Sequence, residues 1–273
     1  MSVFCKELNK LFDSNELMFK ALIENKSIII DGKKSMIYKS FEKGLGIVTN
    51  QDSIKKSMEA DKALKFDDNY YYFVVNSANI LDSHGDVHVD GNWNKTVKEQ
   101  QGKVYLVFDH ELKRSEIIAM RQDIEMFTAK VPFSLLGKSY EGDTYSLIYK
   151  VAKDKIINKE AKDWLEQGHK LEASVRMQYV DILLAVNSKD ADMVKEKENF
   201  DTYYPQIANK NEVGDISYFW VVKQAKNIYE SSLVLFGSNS ATGVIGAENK
   251  EEAELITSTE PLENTQKGKV TIF

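Results

Sequence analysis

Residues 171–186 read LEASVRMQYVDILLAV, a run rich in the β-branched and aromatic residues that suit a pleated, half-buried surface. Its first half alternates strictly. Leu171, Ala173, Val175 and Met177 fall on one face, and Glu172, Ser174, Arg176 and Gln178 fall on the other. One face is made to pack, and the other presents a polar row with a small hydroxyl at its centre. The preceding NKEAKDWLEQG (158–168) carries the marks of a short helix, with Asn158 as N-cap, Trp164 and Leu165 inward and Gly168 as C-cap.

The same strand chemistry recurs outward from this stretch. YYYFVVNSA (70–78), KVYLVFDH (103–110), EMFTAKVPF (125–133), TYSLIYKVA (144–152), SYFWVVKQA (217–225) and NIYESSLVLFG (227–237) all read as strands. Toward the N-terminus, Phe4, Leu8, Leu11, Phe12, Met18, Leu22 and Ile23 are spaced for one or two amphipathic helices, with Cys5 inside the first. SIIIDGKK (27–34) reads as a short strand running into an Asp-Gly turn. Residues 188–215 are polar and without sustained periodicity, as expected of an insertion between two strands. Beyond Gly246 the chain is acidic and nearly free of aromatics, which predicts a flexible tail. The expected fold is mainly β (α+β): an N-terminal extension over 1–65, a compact domain over 66–246 and a tail over 247–273, with both ends dispensable.

Composition narrows the function classes. A chain of 273 residues with 42% hydrophobic and 29% charged residues is long enough to bury a sizeable core. A net charge of −6 argues against nucleic acid as the main partner. One cysteine excludes an internal disulfide framework and a cysteine-based zinc site. No apolar stretch approaches the roughly 20 residues that span a bilayer. The opening MSVFCKELNKLF mixes charge into helical spacing and does not read as a secretory leader. The expected setting is the cytoplasm.

Three residues stand out chemically. Among four histidines, His110 alone ends a strongly apolar strand, where a base would be held rigidly at the sheet rim. Ser174 sits in the middle of its polar row. Glu230 interrupts the apolar run NIYESSLVLFG, and a carboxylate there must be solvated, paired or functional. A serine needs a neighbouring base, and the base needs a group to orient it; these three residues supply the types, on three separate strands. A rival grouping is DSHGDVH, in which Asp82, His84, Asp86 and His88 are all metal-capable. Its Gly85-Asp86 turn breaks the shared strand face, so a turn held by aspartate hydrogen bonds is expected and no metal or cofactor is assigned. GLGIVTN (44–50) lacks the glycine spacing of a phosphate loop.

The order of these segments resembles the prohead (capsid maturation) protease family of tailed bacteriophages, which is distantly related in fold to the herpesvirus assemblin proteases. The similarity runs through NSANILDSHGDVHVDGNW (76–93) with its Asp-x-x-Gly-Asp turn, VYLVFDH (104–110), the hairpin region RSEIIAM (114–120), GHKLEASVRM (168–177) and YESSLVLFGSNSATGV (229–244). It covers roughly residues 70–245. The resemblance implies a compact β-barrel-like protease domain with a few flanking helices. It also implies a serine endopeptidase with His110 as base and Ser174 as nucleophile. Glu230 falls on the acidic third position, with Asp86 as its rival. Implied substrates are scaffold and major capsid proteins inside the immature head in the host cytoplasm, and the chain itself by autoproteolysis; a homo-oligomer within the prohead is compatible with this. The chain departs from the family pattern in three places. Val175-Arg176 follow the serine in place of a small residue, GSNSAT lacks the usual proline, and residues 188–215 lengthen the gap from Ser174 to Glu230.

Overall fold

The computed structural model describes residues 2–38 and 66–247. Its strands are β1 Val3–Cys5, β2 Lys10–Phe12, β3 Tyr70–Ser77, β4 Asp86–His88, β5 Tyr105–Phe108, β6 Ile117–Ala119, β7 Ile124–Pro132, β8 Asp143–Ala152, β9 Glu172–Val186, β10 Tyr218–Val234 and β11 Gly243–Ile245. The α-helices are α1 Asn15–Glu24, α2 Lys26–Ser35, α3 Asn94–Gln100, α4 Lys159–Glu166 and α5 Val194–Tyr203. Among the described residues no helix is long and apolar enough to cross a membrane.

Strand β10 organises the larger sheet. It pairs antiparallel with β9 along nearly its whole length, so its other edge takes β4 and then β5, both parallel; β6 follows antiparallel on β5. A second sheet runs β11-β3-β8-β7. Between the two lies the main core. Phe73, Val75, Leu147, Tyr149 and Val151 come from one sheet, and Ala173, Val175, Met177 and Leu233 come from the other. The fold is therefore α+β, with two open sheets packed face to face; the expected barrel-like closure is absent from the described sheets.

The alternation expected for Leu171–Met177 holds, since Ala173, Val175 and Met177 are buried in the core with Leu171 packed against it. Further on the phase inverts, and Ile182, Leu184 and Val186 become the inward set. The register shifts where Gln224 faces Asp181 and Ala225 faces Tyr179, and an added residue turns the following side chains over. Helix α4 is capped as expected: Asn158 Oδ1 accepts from the Ala161 amide, and Gly168 lies one residue past the C-cap Gln167 with φ +70°.

Two expectations fail toward the N-terminus. Cys5 lies in a small hairpin of β1 and β2, not a helix. SIIIDGKK lies within α2, because its pairing partner is a sheet face and not a strand; Lys33 and Lys34 occupy the last turn, where cations suit the helix dipole. The polar stretch 188–215 does join two strands, β9 and β10, and within it α5 buries Phe200 and Glu196 beside β9. The first residues do not form a separate extension. Cys5, Met18, Phe19 and Leu22 are all buried in the main core. Of the expected tail over 247–273, all but Ala247 lies outside the described residues.

A buried ion pair ties α2 to the sheet. Lys33 Nζ is 2.5 Å from Asp86 Oδ1 and sits 5.5 Å above the Trp220 ring. The Tyr179 hydroxyl donates to Asp86 Oδ2 at 2.7 Å. Just beyond α2, Tyr38 exchanges two backbone hydrogen bonds with Met177 and stacks on Tyr179.

Candidate functional site

The site is built where β5 stops. Asp109 donates its amide to Leu233 O, and with His110 it turns into the left-handed region at φ +47° and +58°. Two consecutive non-glycine residues there cost roughly 1–2 kcal/mol each, so surrounding bonds must hold them. One is visible: the His110 amide donates to Ser232 Oγ at 2.9 Å.

Strand β10 bends to meet this corner. Asn227 faces Met177 and Ser231 faces Val175, so β10 advances four positions while β9 advances two. At the crest, Tyr229 is exposed with φ +67°. Asn227 Nδ2 donates to Tyr149 Oη, Glu230 O and Ser231 Oγ and holds the bulge from inside. Burial pushes the Tyr149 phenol pKa far above its ordinary value, so it stays a neutral hydroxyl. Among the described residues five non-glycine residues are left-handed, and three of them, Asp109, His110 and Tyr229, border this site.

The bulge delivers Glu230 to the histidine. His110 Nδ1 lies 2.8 Å from Glu230 Oε1 and 3.1 Å from Oε2, and the glutamate is 0% exposed. Ser232 donates to Oε2 at 2.8 Å. A carboxylate accepts and does not donate, so Nδ1 is the donor of this pair, and in the neutral ring Nε2 keeps its lone pair. Nε2 is buried and has no hydrogen-bond partner among the described residues. Orphaned buried polar atoms of this kind are costly and uncommon outside sites of function or strain.

Ser174 reaches the same face by register. It is the direct partner of Ser232 across β9 and β10, and Ser232 is in turn the partner of Val107 across β10 and β5. One strand therefore separates the serine from the histidine corner. Ser174 is 5% exposed, and its hydroxyl makes no hydrogen bond to His110. Arg176 follows on the same face, two residues on, with Nε buried and unpartnered. Beside Asp109 a cleft of about 140 Å³ opens, lined by Phe108, Trp164, Leu171, Leu233 and Leu235.

His110, Ser174 and Glu230 thus share one face of the larger sheet, and Asp86 does not join them. It pairs with Trp220, ten positions before Glu230 along β10, and its oxygens are taken by Lys33 and Tyr179. The DSHGDVH segment forms the aspartate-held turn: Asp82 Oδ1 accepts from the amides of His84 and Asp86. His88 is fully buried beside Asn92, and burial pushes its pKa down to about 3. Among the described residues no group of three His, Cys, Asp or Glu side chains could hold a metal. Ser232 and Asn227 went unremarked in the sequence. The pair Ser231-Ser232 directly after Glu230, two hydroxyls in an apolar run, was the available signal.

Comparison with known proteins adds no relative: no family model, curated protein or solved structure matches the chain.

Proposed function

We propose that the chain is a serine endopeptidase working by acyl transfer, with Ser174 as nucleophile, His110 as base and Glu230 as the group that orients it. The observation that carries this reading is the buried His110–Glu230 pair, whose remaining nitrogen is free on the sheet face shared with Ser174. His110 Nε2 takes the Ser174 proton as Oγ attacks a peptide carbonyl, and Glu230 stabilises the imidazolium. The protonated imidazole then protonates the leaving amine, and the same nitrogen activates the water that releases the acyl group. The developing oxyanion needs donors worth about 3 kcal/mol each. Arg176 Nε and backbone amides near Ser174 are the candidates. The ordered segments resembling the prohead proteases extend the proposal to head maturation, with scaffold and capsid-protein segments as substrates.

A second reading, a non-catalytic assembly protein, draws on the missing Ser174–His110 hydrogen bond. Resting enzymes often show such contacts long. Co-expression with presumed scaffold and capsid proteins, followed by intact mass measurement, separates the two readings. Discrete truncations that vanish in Ser174→Ala support the peptidase. Identical profiles from folded wild-type and variant chains with assembled shells favour the assembly protein.

A further inference from the structure

Ser232 is fully buried and has no place among the three reacting groups, yet its hydroxyl touches both halves of the His110–Glu230 pair. The oxygen accepts from the His110 backbone amide at 2.9 Å, and the hydrogen goes to Glu230 Oε2 at 2.8 Å. The first bond pins a residue whose left-handed backbone would otherwise relax toward the extended region. The second engages the carboxylate oxygen that lies farther from Nδ1, which fixes the plane in which the carboxylate meets the ring. Its backbone stands between Ser174 on β9 and Val107 on β5. One side chain therefore couples ring orientation, carboxylate orientation and the strand nearest the serine.

We infer that Ser232 is a positioning residue: it holds His110 as the tautomer protonated on Nδ1, leaving Nε2 as the acceptor for the Ser174 proton. The inference rests on the peptidase reading for its catalytic meaning, but its structural content is independent of turnover. Removing the hydroxyl frees the His110 amide and one carboxylate oxygen together, so the ring loses its fixed orientation while Ser174 and the cleft stay in place.

The test uses the full chain with labelled histidine and nitrogen NMR of the imidazoles, alongside peptide cleavage. Ser232→Ala is expected to shift His110 from a single Nδ1-protonated tautomer to a mixture, with kcat down about a hundred-fold and KM little changed. Ser232→Thr, which keeps the hydroxyl, is expected to restore both. Ser146→Ala is the control: Ser146 is equally buried and pairs its hydroxyl with Ser77 in the second sheet, away from the bulge and the ring, so its loss costs stability without moving the tautomer. An unchanged His110 tautomer in Ser232→Ala overturns the inference, as does an equal disturbance in Ser146→Ala. If the wild-type chain cleaves nothing, the peptidase reading fails, and the nitrogen spectra alone still decide the role of Ser232.

Discussion

Glu230 shows how much one side chain depends on its surroundings. It is fully buried, and its two oxygens meet the His110 ring and the Ser232 hydroxyl. Glu230→Gln keeps the shape but offers an amide where the carboxylate stood, so the ring loses its charge partner and favours the wrong tautomer. Under the proposed peptidase mechanism, turnover is expected to fall by about 10²–10⁴-fold with KM nearly unchanged, measured on a cleaved peptide. A second buried acid makes a different prediction. Burial, reinforced by neighbouring Asp86, pushes Asp82 up to about 8. A carboxyl raised in the folded state keeps a proton that the unfolded chain releases above about pH 4, so this group's contribution to stability falls as pH rises from about 4 to about 8. Asp82→Asn cannot titrate and can still accept the amides of His84 and Asp86. Urea unfolding at several pH values is expected to show it gaining on the wild type across that window and matching it most closely below.

At the scale of elements, the bulge in β10 decides whether the site exists. Asn227 is nearly fully buried and spreads one amide over three oxygens. Asn227→Ala is expected to cost about 1–3 kcal/mol in denaturant unfolding and to lower turnover further by letting Glu230 slide from the ring. This element also marks the limit of what the sequence disclosed. His110 and Glu230 were legible because each breaks a local pattern, a histidine ending an apolar strand and an acid in an apolar run; Ser174 breaks none, and its place on their face rests on strand register. Glu230 was preferred to Asp86 on the resemblance alone; the physical reason, which half of β10 each short parallel strand joins, was not legible. Helix α2 escaped for a related reason. SIIID has strand-forming residues, and only the sheet face offered by Asp86 and Trp220 makes a helix the better way to bury Lys33.

Across the whole molecule, the N-terminal residues are part of the scaffold. They bury Met18, Phe19 and Leu22 in the main core and neutralise Asp86 from above. Lys33→Met leaves that carboxylate buried without its cation and is expected to destabilise the chain by about 3–5 kcal/mol. Adding Asp86→Asn is expected to recover most of the loss, because a neutral amide needs no counter-charge; paired unfolding curves check both. The same strand that receives this ion pair at Trp220 holds the candidate site at Glu230, and its register shifts against β9 lie between the two. Because those shifts set which residues face the core, odd and even become the governing distinction there. Deleting a single residue between Lys223 and Lys226 turns Glu230 and Ser232 toward the core and sends Ser231 and Leu233 to the polar face. Deleting two restores every facing but carries Glu230 one pleat along from the His110 ring. Either change of length is therefore expected to part the acid from the imidazole, the single one by facing and the double one by position.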